Sequence, residues 1–495
     1  MKSIYRFAII GIVYQTLIFE KRYSVHGMPW RGARMNFHIP QKVNEIIEEL
    51  RKHGYEAYAV GGCVRDMILG REPEDWDITT SATPREVKGI FRRTVDTGIQ
   101  HGTVTVLADK EHFEVTTYRL DGVYEDNRHP KEVSFTASLS EDLKRRDFTI
   151  NAMAYNEQEG FVDLFGGRED LKNGLIRCVG SAGERFQEDA LRILRAVRFS
   201  AQLDFRIEEE TLQAIKAKVD NLEHISAERI RAELTKLLLS DHPDRLRDLY
   251  ELGITAVVLP EFDAMMTTQQ KNIHHIYSVG EHTIHAVSEV AGEQKESRFE
   301  LKERTILRWT MLLHDIEKPR TISMGKDGQN HFYGHQERGA VTAKNILRRL
   351  KFDNDTLDTV VHLIRWHDYR FVLTPSGMRK AMSKIGKEYM ELLFEVNRAD
   401  TSAKNPKHIR EKYEKLEAAV RLYHEIVNKQ ECVSLKELKI NGRDLIAMGL
   451  KPGKELGDIL NMLLAKVLEE PELNERETLL ALAARIRDSE SQKKD

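Results

Sequence analysis

Cysteine is scarce in this chain of 495 residues, which contains Cys63, Cys178 and Cys432. The three lie far apart, and none belongs to a Cys-x-x-Cys pair. This argues against a disulfide framework and against a zinc–thiolate site. It favours a reducing compartment, so we expect a cytoplasmic protein.

The chain also lacks an excess of one charge. Its 76 basic and 79 acidic side chains leave a net charge of −3. This balance gives no global signature of nucleic-acid binding, so any RNA contact must come from local basic patches. Charged residues make up 31% and hydrophobic residues 41% of the chain, which is typical of a soluble protein of several domains.

Long hydrophobic runs are absent as well. The apolar stretch 7–13 follows Lys2 and Arg6 and superficially suggests a secretory signal. It is too short to span a bilayer and has no clear small-residue cleavage site. We therefore expect no membrane association. We also expect residues 1–34 to be an extension that is not part of the fold, with Met35 as the real start.

A glycine pair and an aspartate pair carry the first chemical signal. Gly61 and Gly62 precede Arg65, and Asp75 and Asp77 follow. Positions two apart on a strand face the same side, so the two aspartates can share divalent cations. The glycines let the backbone approach a triphosphate, whose charge Arg65 can neutralise. The pattern favours a metal-dependent nucleotidyl transferase, although a hairpin turn before an exposed acidic loop would look similar.

Further motifs follow in order. They begin at Arg145 (Arg-Arg-Asp-Phe-Thr-Ile-Asn), Asp163 (Asp-Leu-Phe-Gly-Gly-Arg) and Glu188 (Glu-Asp-Ala-Leu-Arg). The ordered set resembles the class II tRNA nucleotidyltransferases and bacterial poly(A) polymerases, the family of the CCA-adding enzyme. The resemblance implies an α+β fold, in which a small mixed-sheet nucleotidyltransferase head precedes a long all-helical neck and body. Strand patterns up to about residue 160 and helical patterns beyond about residue 184 agree with it.

The resemblance also implies roles in the head. Asp75 and Asp77 would bind two Mg²⁺ ions that bridge the triphosphate and the attacking hydroxyl. Glu114 would support the metals or take the proton from the 3′-hydroxyl, unless it is a structural strand residue. The nucleotide-binding residues of the head would be Gly62, Arg65 and Arg146.

An acidic and three basic residues recur at intervals of three: Asp189, Arg192, Arg195 and Arg198. Neighbours in such a row would touch on a helix, and a solvated helix face is the alternative interpretation. In the family, the matching Asp and Arg act as a protein template for the incoming base. Cytosine and adenine each present an amine donor beside a ring-nitrogen acceptor, and uracil and guanine reverse this pattern. Arg195 and Arg198 would hold triphosphate oxygens.

A second pattern resembles the HD superfamily of metal-dependent phosphohydrolases. Its candidate metal ligands are His282, His314, Asp315 and Asp400, and His335 and His367, with His362 nearby, could complete a two-metal site. The resemblance implies a divalent metal (Mg²⁺, Mn²⁺ or Ni²⁺) that activates water. Glu317 stands where that family usually has glycine. Its carboxylate would crowd the backbone or reach the metal, so a helical domain without activity is the alternative.

The C-terminal region looks like the family's tRNA-binding tail. Lys451, Gly453 and Lys454 are the candidate contacts to the RNA backbone. The loop 121–130 matches the family's flexible loop and favours full CCA addition. The predicted segments are a 1–34 extension, a 35–160 nucleotidyltransferase head, a 161–270 neck and body, a 271–402 HD domain and a 403–495 tRNA-binding tail.

The sequence thus predicts a tRNA nucleotidyltransferase that adds C, C and A to tRNA 3′ ends from CTP and ATP. An adenosine-only enzyme or a poly(A) polymerase would share the motifs of the head. An interpretation from another class is an HD phosphohydrolase whose head merely binds RNA. The intact pair Asp75 and Asp77 argues against that class.

Overall fold

The computed structural model describes residues 39–121, 133–273, 275–292, 295–326 and 328–494. The predicted extension 1–34 and almost all of the loop 121–130 lie outside these residues. The chain forms two compact units. The first comprises the chain up to Asp189 together with Leu203–Ala214, and the second comprises Ala190–Gln202 together with the chain from Ile215 onward. The five predicted segments remain predictions.

The first unit contains the strands of the predicted head. They are β1 Ala57–Val60, β2 Asp77–Thr80, β3 Thr94–Gly98, β4 Thr103–Ala108, β5 Glu111–Thr117, β6 Arg119–Asp121, β7 Val133–Phe135, β8 Met153–Asn156, β9 Gly160–Asp163, β10 Leu175–Ile176 and β11 Arg206–Ile207. Its helices are α1 Gln41–Lys52, α2 Gly62–Ile68, α3 Pro84–Ile90, α4 Leu139–Lys144, α5 Gly167–Asn173 and α6 Ala182–Glu188.

A seven-stranded mixed sheet forms the centre of this unit, in the order β3-β4-β5-β2-β1-β8-β9. Strands β2 and β5 run parallel, whereas the other neighbours in this sheet are antiparallel. All four residues of β1 are buried, and Ile78 and Val115 bury their side chains on the neighbouring strands. The mixed sheet confirms the predicted fold class of the head. Its strands come from distant parts of the chain and pair because pairing buries these apolar residues.

The second unit is almost wholly helical, as the sequence predicts. Helices α7 Leu191–Leu203 and α8 Glu209–Lys218 cross the boundaries between the units, and the later helices are α9 Ala227–Leu239, α10 Leu246–Glu251, α11 Ile254–Val258, α12 Pro260–Thr267, α13 Val279–Glu289, α14 Leu301–Leu313, α15 Lys318–Thr321, α16 His335–Arg349, α17 Asn354–Trp366, α18 Pro375–Ile385, α19 Met390–Ser402, α20 Arg410–Asn428, α21 Gly442–Ala447, α22 Lys454–Glu469 and α23 Arg476–Lys494. Strands β12 Ser323–Met324 and β13 Asn330–His331 form a small antiparallel hairpin.

Close helix packing places the histidines of the second unit. Helix α13 packs on α12 at Gly280, where a Cβ would lie 2.7 Å from the Cα of Met266. A larger residue would therefore push α13 away, together with His282 two positions later. Among the described residues, no helix is both long and apolar enough to cross a membrane.

Candidate active site and a second histidine cluster

Three carboxylates meet at the edge of strands β2 and β5. Asp77 is the first residue of β2, and the parallel register places it directly opposite Glu114 on β5. Paired residues project to the same face of a sheet, so the two side chains are neighbours. Asp75 precedes the strand by two residues, and all three residues keep part of their surface open to solvent. The structure thus brings together the catalytic residues predicted from the sequence.

The electrostatics of this trio suit a cation. Partial burial raises the pKa of Asp77, Arg146 opposes that shift and Asp75 adds to it. Partial burial also raises the pKa of Glu114, and the charges of Asp77 and Asp75 raise it further. A divalent cation would relieve the repulsion among these carboxylates, so it is stabilised at this site. Carboxylate oxygens are also the ligands that Mg²⁺ prefers. The residues therefore fit Mg²⁺.

The glycine pair lies next to Arg146. Gly61 has φ +84°, a conformation that other residues rarely adopt, and it precedes the first residue of α2, Gly62. A Cβ at Gly61 would lie 3.2 Å from Nη1 of Arg146. Gly61 therefore forms the turn, and its lack of a side chain lets the guanidinium of Arg146 approach the backbone.

Arg65 is engaged within the protein. Its Nε and Nη2 donate to the carboxylate of Asp66 at 2.9 and 2.7 Å, and its Nη1 donates to Oδ1 of Asn151 at 2.8 Å. Asn151 in turn donates to Oδ1 of Asp147 at 3.2 Å. Arg65 thus links α2 to the Arg-Arg-Asp motif, and its predicted contact with phosphate remains a prediction.

A buried aspartate that sequence reasoning missed orients the arginines of this motif. Asp142 has no exposed side-chain surface, and its carboxylate accepts from Nε and Nη2 of Arg145 at 3.0 and 2.6 Å and from Nη2 of Arg146 at 3.2 Å. Thr79 on β2 donates to the same carboxylate at 3.3 Å. Burial by itself raises the pKa of Asp142, but Arg146 and Arg145 outweigh it and lower the pKa. The available signal was the spacing, because Asp142 precedes Arg146 by four residues, the interval that brings side chains together across one helical turn.

The second unit contains a buried cluster of histidines and aspartates. Nε2 of His282 lies 3.0 Å from Oδ1 of Asp400 and 3.6 Å from Oδ2 of Asp315. Nε2 of His314 lies 3.2 Å from Oδ2 of Asp315 and 3.8 Å from Oδ1 of Asp400. These are the four ligands predicted from the sequence, and helices α13, α14 and α19 bring them together.

Two further histidines reach the other oxygen of Asp315. Nε2 of His335 lies 3.5 Å and Nε2 of His367 lies 3.7 Å from Oδ1 of Asp315, and the two imidazole nitrogens are 3.3 Å apart. Asp315 could therefore bridge two cations. His362 lies outside this arrangement, because its Nε2 donates to the carbonyl oxygen of Ile385 at 2.6 Å.

Backbone carbonyl groups orient the imidazoles. Nδ1 of His314, His335 and His367 each donates to the carbonyl oxygen three residues earlier at 2.7 Å, and Nδ1 of His282 donates to Ala403 at 3.2 Å. A histidine that donates from Nδ1 presents Nε2 as a ligand atom. Among the described residues, Nε2 of His314 and Oδ1 of Asp315 have no hydrogen-bond partner, although both are buried. The donor set fits a divalent transition metal or Mg²⁺.

The protonation states of three imidazoles and of Asp315 agree with this fit. At His314 burial would lower the pKa, but the charge of Asp315 outweighs it and raises that pKa. Burial lowers the pKa of His282 and His335, and burial together with His314 and His335 lowers the pKa of His367 to about 4. Burial alone would raise the pKa of Asp315, but His314 and Lys318 outweigh it and hold that pKa well below its usual range. Neutral imidazoles and ionised carboxylates are the forms that bind metals.

Comparisons with known proteins identify the family. Residues 57–177 match "Poly A polymerase head domain", residues 204–266 match "Probable RNA and SrmB- binding site of polymerase A" and residues 336–483 match "tRNA nucleotidyltransferase domain 2". A CCA-adding enzyme of Ligilactobacillus salivarius is 35% identical over 453 residues, which are 90% of this chain and 96% of that protein. The chain belongs to the CCA-adding enzyme family. It is a nucleotidyltransferase, and the predicted family and fold class are confirmed.

Two other relatives of the CCA-adding enzyme family are informative. The CCA-adding enzyme of Limosilactobacillus reuteri is 53% identical over 217 residues, 44% of this chain and 54% of that protein. The crystal structure of the Bacillus stearothermophilus CCA-adding enzyme in complex with CTP superposes with a TM-score of 0.69. The alignment covers 91% of this chain and 98% of that chain, at 31% sequence identity. The likeness therefore extends over the head and the helical body.

The predicted row of base-reading residues is divided in the structure. Asp189 is the extended residue that ends α6, with φ −144° and ψ 102°, whereas Arg192 lies in α7. The expectation that Asp189 continues the helical row was wrong, because α6 ends before it and α7 begins after it. Arg192 is buried, with 9% of its surface exposed.

The other two arginines of α7 contact an acidic residue of α9. Nε of Arg198 lies 2.6 Å from Oε2 of Glu233, and Nη1 of Arg195 lies 3.9 Å from its Oε1. Arg198 also donates to Gln202 at 2.7 Å. Arg198 therefore has a structural ion pair, and the assignment of its guanidinium to triphosphate oxygens remains a prediction.

Glu317 neither strains the backbone nor lacks partners. Its φ is −101° and its ψ is 0°, a conformation open to residues other than glycine. Its Oε1 accepts from Nη1 of Arg320 at 2.9 Å and from Oγ1 of Thr342 on α16 at 2.7 Å. The expectation that this carboxylate crowds the backbone was wrong. The residue ties the turn after Asp315 to α16.

The predicted tail residues surround the start of α22. Gly453 directly precedes this helix, and Lys454 is its first residue. Lys451, Gly453 and Lys454 are all exposed, so an RNA backbone could reach them. Their RNA contacts remain predictions.

Proposed function

We propose that the chain adds C, C and A to tRNA 3′ ends, with CTP and ATP as substrates and pyrophosphate as product. Membership of the CCA-adding enzyme family favours this activity over adenosine-only addition and over poly(A) synthesis. The observation that carries the assignment of the site is the register that pairs Asp77 with Glu114 beside Asp75. We also keep the prediction of a cytoplasmic location, with which the three buried free cysteines agree.

In the proposed reaction the 3′-hydroxyl oxygen of the tRNA forms a bond to the α-phosphorus of the nucleotide. The bond from that phosphorus to the oxygen bridging to the β-phosphate breaks, and pyrophosphate leaves with the electron pair. Mg²⁺ held by Asp75 and Asp77 would stabilise the attacking and leaving oxygens. Glu114, whose pKa is raised, accepts the proton of the hydroxyl. Arg146 binds phosphate oxygens from its place against Gly61.

Base selection is proposed for Asp189 and Arg192. A carboxylate accepts from the exocyclic amine of cytosine or adenine, and a guanidinium donates to the adjacent ring nitrogen. Uracil and guanine would leave both groups without suitable partners, which opposes their use. Because Asp189 lies outside α7, the three-residue spacing of the arginines in that helix does not set the direction of its side chain.

The direct test measures incorporation of each nucleotide into tRNA transcripts that end at the discriminator base, at C or at CC. Asp77→Ala should abolish the addition of C and A alike while tRNA binding in a filter assay stays nearly unchanged. The control is Asp96→Ala, which removes another exposed head carboxylate, paired with Lys88 at 2.9 Å. Appreciable incorporation by Asp77→Ala would show that the metal assignment is wrong.

We also propose that the histidine cluster holds divalent metal and hydrolyses phosphoesters. The converging Nε2 atoms and the unpartnered atoms of His314 and Asp315 support this proposal. The metal would supply an activated water and charge stabilisation. In the balanced reaction the water oxygen bonds to phosphorus, one P–O ester bond breaks, and the released oxygen takes a proton to become a hydroxyl.

Metal binding tests this second proposal without an activity assay. Mn²⁺ or Ni²⁺ should raise the melting temperature of the full chain and remain bound after gel filtration. His314→Ala should lose both effects. His362→Ala is the matched control, since His362 is bonded to Ile385 and lies outside the cluster. Equal metal content in His314→Ala and the wild type would refute the assignment.

A further inference from the structure

An aromatic ledge lies at the end of the hairpin that follows the His-Asp pair, formed by the last residue of its second strand and by a residue of the turn after it. The rings of His331 and Tyr333 are stacked, with centroids 5.3 Å apart and planes only 6° apart. Tyr333 is 75% exposed, and Met324 on the opposite strand is 74% exposed. Aromatic rings that are open to solvent offer a stacking surface for a flat ligand. The stacked pair is called the ledge below.

The residue between the two rings joins the ledge to the histidine cluster. The carbonyl oxygen of Phe332 accepts from Nδ1 of His335 at 2.7 Å. The ring of Phe332 has its centroid 5.3 Å from Nζ of Lys318, which itself lies 2.7 Å from Oδ2 of Asp315. Phe332 thus anchors the ledge to His335 directly and to Asp315 through Lys318.

Positive charge accompanies the ledge and the cluster. The side chains of Lys318 and Lys404 are 9% and 13% exposed, and they contact Asp315 and Asp400. Lys326, in the turn of the hairpin, is exposed. These two ion pairs balance the charges of Asp315 and Asp400, so the charge of a divalent metal bound in the cluster would remain available to a phosphate group.

We propose that the His331–Tyr333 ledge stacks the base of a nucleotide whose phosphoester lies at the histidine cluster. The inference rests on the second proposed function, and it names the two residues that would hold the base of a nucleotide substrate at that site. A nucleotide joins a flat ring to an anion. The ledge offers a stacking surface for the ring, and a divalent metal in the cluster would supply the positive charge that binds the anion. Stacking on aromatic rings accepts every base, so we expect little preference among the four. The base belongs either to a free nucleotide or to an RNA 3′ end.

A local binding measurement tests the ledge independently of hydrolysis and of the nucleotide site in the head. Hydrogen–deuterium exchange of the peptide covering 322–334 is followed as AMP or ribose 5-phosphate is added to the full chain. AMP should protect this peptide at concentrations about tenfold lower than ribose 5-phosphate does, because one stacked base contributes an affinity of that order. Tyr333→Leu should remove the advantage of AMP, and Tyr333→Phe should retain it. Met324→Ala, on the same hairpin, should also retain it.

The absence of an AMP advantage, or its survival in Tyr333→Leu, would overturn the ledge. An RNA oligomer with a 3′-phosphate distinguishes the two sources. If the oligomer protects the peptide at lower concentrations than AMP does, the ligand is an RNA end. If the two protect it at equal concentrations, the ligand is a free nucleotide.

Hydrolysis is measured with adenosine 2′,3′-cyclic phosphate and with glycerol 1,2-cyclic phosphate, which has the same reacting ring but no base. Water opens one P–O bond of the ring, and a phosphomonoester and a free hydroxyl result. Tyr333→Leu should raise KM about tenfold for the adenosine ester alone and leave kcat unchanged. Failure of the wild type to cleave either ester would remove the hydrolase proposal, whereas the exchange data would still decide the ledge. Equal effects of Tyr333→Leu on both esters would overturn the ledge.

Discussion

Replacement of Asp142 by asparagine should weaken the head and its affinity for nucleotide together. The carboxylate is completely buried and receives hydrogen bonds from Arg145 and Arg146, whose side chains are 16% and 19% exposed. Loss of one partner from a buried ion pair costs about 3–5 kcal/mol. Because both arginines keep some contact with water, we expect the lower end, about 3 kcal/mol.

The expected loss corresponds to a fall of roughly 6–12 °C in the melting temperature of a unit of this size. Exchange of amide hydrogens in peptides of β1 and β2 should locate the loss in the head. Arg146 would also lose an anchor that holds it against Gly61, so KM for CTP and ATP should rise about tenfold, the value of one charged hydrogen bond.

Asp170→Asn is the matched control for this experiment. Asp170 is also buried in the head, but its carboxylate accepts from Thr149 at 2.6 Å and from Arg177 at 3.0 Å instead of from Arg146. It should lower stability without changing KM. If Asp142→Asn left both KM and amide exchange unchanged, the positioning role of Asp142 would be refuted.

The pH dependence of stability follows from the lowered pKa of Asp142. A carboxyl whose pKa is lower in the folded state stabilises that state above its unfolded pKa, about 3.9. This contribution is lost as the pH falls through the folded pKa. The difference in stability between the wild type and Asp142→Asn should therefore be constant above about pH 5 and shrink in acid. A difference that grew on acidification would contradict the ion-pair account.

Three further substitutions test the remaining assignments. Arg192→Ala should relax discrimination against UTP and GTP in transcript-extension assays, and equal slowing with all four nucleotides would indicate a structural or phosphate role. His314→Ala should leave CCA addition largely unchanged while it removes metal-stimulated hydrolysis of 2′,3′-cyclic nucleotides, and a parallel loss of CCA addition would contradict the independence of the sites. Glu317→Gly should lower the free energy of unfolding by about 1–2 kcal/mol, because Thr342 loses its acceptor. It should not raise hydrolysis, and a clear rise would restore the crowding hypothesis.

Local spacing was sufficient for the elements and motifs whose residues are near in sequence. The helical spacing of apolar residues over 41–53 predicts a helix that Gly54 ends, and the structure has this helix at Gln41–Lys52. Asp75 and Asp77 come together because two residues on an extended chain face the same side. The HD pattern likewise indicated the types of ligand, since only some side chains bind divalent metals.

Local spacing failed where the backbone changes direction. The interval of three residues from Asp189 to Arg192 suggested one helix, but a break between α6 and α7 separates them. At Glu317 the family pattern suggested a clash, whereas the observed φ of −101° accommodates a side chain. Neither backbone conformation can be read from residue type alone.

The sequence by itself determined the family, the α+β class and the identity of the residues with chemical potential. Only the tertiary structure decided which of them meet. Glu114 becomes the partner of Asp77 through a parallel strand pair between distant segments. His282, His314 and Asp400 converge because close-packed helices bring their side chains to one buried point. Such contacts depend on the burial of apolar surface shared among many residues, and no short motif encodes that.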